Sequence, residues 1–171
     1  LHAYALTKDG IEFEDSTSDN LGHNLVINGA GTRKATLFRI KVYTAGLYLK
    51  KKSNNPEEIL NSDTEKELVL VFHRDVSKED IQDAWNGSFK DNNPDWQKYQ
   101  EDFNLLLERC EDIVEGQKLV ITIDQTGILV QPPKGVAFQS RDKDFARALL
   151  NIWLGPKPPN ESLKEGLLGI E

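Results

Sequence analysis

The sequence predicts an α+β domain built on an antiparallel sheet, and three observations carry that class. Strand-like runs rich in β-branched and aromatic residues come first. Helical apolar periodicity is interleaved after them and closes the chain. The regular strand–helix–strand alternation that marks a parallel sheet is missing. The 171 residues read as one domain, 1–171, with no internal repeat, low-complexity tract or compositional break.

Ile11-Glu12-Phe13-Glu14 alternates apolar and acidic residues, and Leu25-Val26-Ile27 is a short apolar run. Asn28-Gly29-Ala30-Gly31-Thr32-Arg33 then reads as a turn in which two glycines permit positive φ. That turn would place Arg33 at the head of a long strand, about Ala35 to Lys51. Strict alternation sends Leu37, Arg39, Lys41, Tyr43, Ala45 and Leu47 to one face, and Phe38, Ile40, Val42, Thr44, Gly46 and Tyr48 to the other. Gly46 inside the run predicts a bend or bulge.

Asn54-Asn55-Pro56-Glu57-Glu58 opens a short helix, with proline in the first turn and acids at the positive end of the dipole. Leu68 to Phe72 is a buried strand. Ser77-Lys78-Glu79-Asp80 resembles a capping box and launches a helix with Ile81, Ala84, Trp85 and Phe89 on its apolar stripe. A second helix starts at Pro94 and carries Trp96, Tyr99, Phe103, Leu106, Leu107 and Cys110 at helical spacing. Leu119–Ile123 and Gly127–Val130 flank Asp124-Gln125-Thr126 as a hairpin. Phe145, Leu149, Ile152 and Trp153 line a helix that stops at Leu154-Gly155-Pro156. Asn160 caps a last short helix, Glu161 to Leu168.

The formal net charge is −7, and no basic cluster occurs beyond Lys50-Lys51-Lys52, which argues against a nucleic-acid partner. The single Cys110 excludes a disulfide framework and sits on an apolar stripe, as an inert buried thiol would. His2, His23 and His73 have no ligand spacing, so neither metal nor cofactor is expected. Asp80, Asp83, Glu101, Asp102, Glu108, Glu111 and Asp112 read as solvated helix faces. Gly29-Ala30-Gly31 lacks the third glycine of a dinucleotide fingerprint and is followed by a strand, and no GxSxG elbow is present. No apolar run approaches the roughly 20 residues of a membrane span. The sequence opens at Leu1-His2-Ala3 without Met, which gives the expectation of a removed leader and an exported protein.

Three blocks in order, NGAGTRKATLFRIKVYTAGLYLKKK, LVLVFHRDVSKEDIQDAWNGSF and FARALLNIWLGPKPPNESLKEGLLG, resemble the chalcone isomerase-like family, most closely its bacterial, exported branch. The resemblance spans Leu25 to Gly169. It implies an open-faced sandwich: a large antiparallel sheet, helices packed on one face and a cleft between them. It also implies periplasmic placement. Plant enzymes of this fold close a flavanone ring, plastid relatives bind fatty acids, and others are non-catalytic.

The resemblance places Arg33 where the enzymes and the fatty-acid binders carry the arginine that meets an anionic oxygen. Asn86 falls at the enzymes' active-site asparagine if the block aligns without a gap. Tyr43 stands at the enzymes' strand threonine, with Thr44 one residue later and facing the opposite way. Their helix tyrosine corresponds to Glu79, and the Ser/Thr of their late helix to Ile152. Each lost donor of this type costs on the order of 10²-fold in rate. The expectation is therefore a binder with no catalytic residues. Its ligand-binding set is Arg33, Tyr43, Thr44, Trp85, Asn86 and Ile152, and its partner a small amphipathic anion such as a fatty acid. The tail would lie against Leu37, Phe72, Trp85, Phe145, Leu149 and Trp153. An isomerase or lyase acting on a phenolic or enone substrate, and an interaction protein with a vestigial cleft, remain alternatives. So does an Arg33 paired with a carboxylate such as Asp75. Arg74-Asp75 itself reads as a local ion pair.

Overall fold

The computed structural model describes residues 6–18 and 24–170, so His2, His23 and the opening Leu1-His2-Ala3 lie outside the described residues. The chain begins with a hairpin, β1 (Leu6–Lys8) and β2 (Ile11–Phe13), closed by the positive-φ pair Asp9-Gly10. The main sheet follows: β3 (Ser16–Ser18), β4 (Asn24–Ala35), β5 (Ile40–Leu49), β6 (Lys66–Phe72), β7 (Lys118–Asp124), β8 (Gly127–Gln131) and β9 (Phe138–Ser140). These strands lie side by side in chain order, each antiparallel to the next.

Helices fill the connections. α1 (Pro56–Asn61) joins β5 to β6, and α2 (Lys78–Asn92) and α3 (Gln100–Glu108) join β6 to β7. α4 (Lys143–Leu154) and α5 (Glu161–Leu167) close the chain. Caps set their starts. Asn55 accepts from the Glu57 and Glu58 amides ahead of Pro56, Ser77 accepts from the Asp80 amide, and Asp142 from Asp144 and Phe145. The expected second helix is split: a 3₁₀ turn, Trp96–Tyr99, precedes α3.

One face of the sheet packs under the helices. Tyr43, Ala45, Leu47, Leu68, Leu70, Phe72, Leu119, Ile121, Ile128 and Val130 meet Trp85, Phe89, Phe103, Phe145, Leu149, Ile152 and Trp153 in a single core. Each such side chain contributes about 1.5–3 kcal/mol when fully buried. On the other face the β1–β2 hairpin covers a smaller cluster of Phe13, Leu25, Ile27, Ala30, Tyr48 and Val71. Cys110 is buried in the main core, where burial pushes its thiol up to about 11.

Three expectations about the β4–β5 region are corrected. Asn28 to Arg33 is not a turn but the middle of a strand, and neither Gly29 nor Gly31 has positive φ. These glycines face α5. A Cβ on Gly29 would lie 2.8 Å from the Gly169 amide nitrogen, and one on Gly31 would lie 2.8 Å from Leu163 Cα. Glycine is therefore required so that a helix backbone can touch a strand backbone. The true turn is Thr36–Arg39, inside the run expected to be extended, with Thr36 at φ 64° and Arg39 at φ 52°. Gly46 pairs regularly with Ala30 and Val69, and the Phe13 ring lies over it. The β4–β5 ladder is irregular at two other places: between the pairs Ile27–Tyr48 and Gly29–Leu47, where Asn28 is the extra residue, and at a bulge between Arg33–Tyr43 and Lys34–Lys41, where Val42 is the extra residue.

Candidate functional site

A cavity of about 360 Å³ opens between β4–β5–β6 and α2, at the upper end of the sheet. Its floor is apolar and buried: Tyr43, Phe72, Ile81, Trp85 and Ile152. Val42, Val76, Ala84, Ser88 and Pro159 continue the wall, and Arg74, Asp75 and Asp80 are exposed at the rim. The size falls within the roughly 300–1,000 Å³ of small-molecule sites.

The bulge shapes this site. Two β5 residues, Val42 and Tyr43, oppose Arg33, and both line the cavity. Regular alternation would have turned Val42 to the far face. Beyond the bulge alternation resumes in the opposite phase, so Lys41, expected on the face of Tyr43, reaches the far side and pairs with Asp9.

Arg33 is half-buried and directly opposite Tyr43 across the β4–β5 ladder. Its Nη1 donates to the Pro159 and Lys34 carbonyls, each at 2.9 Å. Nε and Nη2, the side-on edge that fits a carboxylate through two parallel bonds, have no partner among the described residues. Asp75 does not neutralise the guanidinium. Its carboxylate accepts from the Glu115 amide at 2.8 Å, tying the β6–α2 connection to the segment before β7, and it makes no ion pair with Arg74 either.

The loop before α5 fixes this arginine. Asn160 accepts from the Lys34 amide and donates to the Thr32 carbonyl, covering the outer edge of β4 as a strand would. Pro159 thereby presents its carbonyl to Arg33. Gly166, pressed against the Ala30–Gly31 backbone, lets α5 approach closely enough to hold that loop in place.

Tyr43 is positioned from below. Trp153 Nε1 donates to its hydroxyl at 2.9 Å, and the Tyr43 and Phe72 rings meet at 5.4 Å between centroids. Because the phenol oxygen accepts from Trp153, its own hydrogen remains available. Burial pushes the phenol up to about 12, opposed more weakly by the Trp153 bond and the nearby Arg33 charge. It is a donor, not a phenolate, at neutral pH.

The structure thus brings Arg33, Tyr43, Trp85 and Ile152 around one cavity. Thr44 and Asn86 are not among its walls. Thr44 faces the opposite side of the sheet, fully buried, bonded to Thr32 and to His73 Nε2. Thr32 in turn donates to Asp9, so the group is a structural chain beneath the β1–β2 hairpin. Asn86 lies on α2 away from the cavity. Of the residues expected against a tail, Phe72 and Trp85 line the space, whereas Phe145, Leu149 and Trp153 are core residues behind it. Leu37 stands at the hairpin tip, 98% exposed. The sequence reading missed Val42, Pro159 and the supporting role of Trp153. Of these, only Pro158-Pro159-Asn160 carried a signal, as a rigid approach to a helix cap.

Among the described residues no group of His, Cys, Asp and Glu could hold a metal ion. Among those residues, too, no helix is long and apolar enough to cross a membrane. The structure is similar to the crystal structure of a fatty-acid binding protein of Arabidopsis thaliana, with a TM-score of 0.71 over 96% of each chain at 16% sequence identity. No curated protein sequence matches. The family described as chalcone isomerase-like matches residues 5–169. With that match over nearly its whole length and the same curled sheet under one layer of helices, the chain belongs to the chalcone isomerase-like family.

Proposed function

We propose that this protein is a non-catalytic binder of a small amphipathic anion, a fatty acid or a similar carboxylate. One observation carries the proposal. Arg33 and Tyr43, cross-strand neighbours, keep donors unengaged beside an apolar cavity. A carboxylate would accept from Arg33 Nε and Nη2 and from the Tyr43 hydroxyl, and its tail would lie over Phe72, Ile81, Trp85 and Ile152. Binding in a related protein of this fold that is named for fatty acids supports the reading. At about 360 Å³ the cavity sits near the small end of ligand sites, which favours short or medium tails. Placement in a bacterial periplasm belongs to the proposal and rests on the likeness of the three sequence blocks to the exported branch.

Calorimetry with a series of saturated fatty acids tests it. Arg33→Ala is expected to abolish measurable binding while the fold survives. Tyr43→Phe should weaken binding by about 1 kcal/mol, the net value of one hydrogen bond. Unchanged affinity in Arg33→Ala would remove the site. Turnover of a chalcone, followed by absorbance, would shift the reading to an isomerase.

A further inference from the structure

We propose that the tip of the β4–β5 hairpin is a docking element for an anionic lipid bilayer. Leu37 and Phe38 stand next to each other at this tip, 98% and 86% exposed. Ile40 beside them is 38% exposed. Isolated exposed apolar residues are ordinary, but two adjacent large ones, almost wholly in water, mark a contact surface.

The turn holds them outward. Thr36 and Arg39 both have positive φ, unfavourable for a β-branched threonine. The Arg39 amide donates to the Thr36 carbonyl and the Phe38 amide to the Thr36 hydroxyl, so the tip is a built turn and not a loose loop.

Charge selects the partner. The chain carries −7 overall, yet Leu25 to Asn55 contains no Asp or Glu. Around the tip stand Lys34, Arg39 and Lys41. Lys41 pairs with Asp9 and Lys34 stands within electrostatic range of the same carboxylate, whereas the Arg39 guanidinium has no partner among the described residues. An apolar tip collared by three cations against one carboxylate fits a surface with acyl chains inside and phosphates outside. A second copy of this chain offers the cavity mouth, whose rim mixes Arg74 with Asp75 and Asp80, and it is the competing occupant that light scattering tests.

The tip is continuous with the cavity. Ala35 and Val42, which flank it on the two strands, line the cavity together with Arg33 and Tyr43. Docking would set the cavity mouth at the bilayer surface. That this delivers an amphipathic anion from the membrane rests on the proposed function, but the docking itself does not.

Co-sedimentation of the full chain with vesicles reads the docking directly. The chain is expected to pellet with vesicles containing phosphatidylglycerol. Partition onto phosphatidylcholine alone should be about tenfold lower, and high salt should release the protein. Leu37→Ser with Phe38→Ser should lower partition about tenfold or more. Arg39→Gln should lower it about fivefold on the anionic vesicles only. Both variants should keep the circular dichroism and the solution affinity for fatty acid. Three results would overturn the proposal: no pelleting of the parent chain, equal pelleting of the tip variant, or a parent dimer in light scattering that the tip variant dissolves. Vesicle binding without fatty-acid binding would leave docking standing and remove the cavity reading, and the reverse result would do the opposite.

Discussion

At Tyr43 a buried hydroxyl is asked to remain a hydrogen-bond donor. Its environment arranges this: burial raises the phenol to about 12, above its ordinary value of 10. The folded state therefore prefers the protonated form. That stability is fully present below pH 10 and is lost as pH rises towards 12. Two units correspond to about 2–3 kcal/mol. Tyr48, on the opposite face, is also pushed up to about 12, so Tyr43 supplies part of the alkaline loss. Urea unfolding at pH 9 and pH 12 separates them. Tyr43→Phe should show a shallower fall in stability than the parent chain, by about 2 kcal/mol. An identical fall would mean that the phenol ionises as if exposed. At this scale the sequence was half legible. The pairing of Arg33 with Tyr43 came from the resemblance, and strand parity correctly separated Tyr43 from Thr44. What alternation could not show was Trp153, 110 residues away, donating to the phenol.

The contact of β4 with α5 explains the glycines that precede Arg33. Gly29 and Gly31 occupy alternate positions on one face of a strand, and Gly166 answers them from the helix. Such a pattern looks like a turn in sequence, because local rules assign glycine to positive φ before tertiary contact is known. The converse error has the same root. Thr36-Leu37-Phe38-Arg39 turns the chain without glycine, proline or asparagine, so it reads as strand. Between the two, the Val42 bulge moves one side chain across the sheet, and no residue type announces it. The close approach gives a test. Gly31→Ala places a methyl against the Leu163 backbone, and neither element can yield cheaply. A destabilisation of about 1–3 kcal/mol is expected from denaturant midpoints, as for overpacking in a core. The same change pushes the loop carrying Pro159 away from Arg33, so affinity for a carboxylate should fall with stability. A stable Gly31→Ala variant with a shifted midpoint and unaltered affinity would separate the helix contact from the arginine clamp.

Across the whole molecule, the helices and the strands β6, β7 and β8 were legible because helix caps, hairpin signals and buried runs agree with one another, whereas β1, β3, β9 and the break between β4 and β5 carried no such signal. The cavity was expected from the resemblance alone, because no local pattern shows where sheet and helices fail to meet; it lies where β4–β6 face α2 and the end of α4. Ile81, Ile152 and Phe72 reach towards that gap and do not fill it. An unfilled space of this size forgoes the dispersion contacts that stabilise the rest of the core. A ligand would restore them, so occupancy and stability are coupled. For a ligand that binds only the folded chain, a hundredfold excess over Kd adds about 2.7 kcal/mol. In a domain of this length that corresponds to a rise in Tm of roughly 5–10 °C. The rise should grow along a fatty-acid series until the tail fills the cavity, then level off or reverse as longer tails meet Trp85 and the floor. Arg33→Ala should flatten the series at every length, since the head group would lose its anchor. A rise that continues unchanged to the longest tails, or that survives in Arg33→Ala, would locate the apolar interaction elsewhere on the protein.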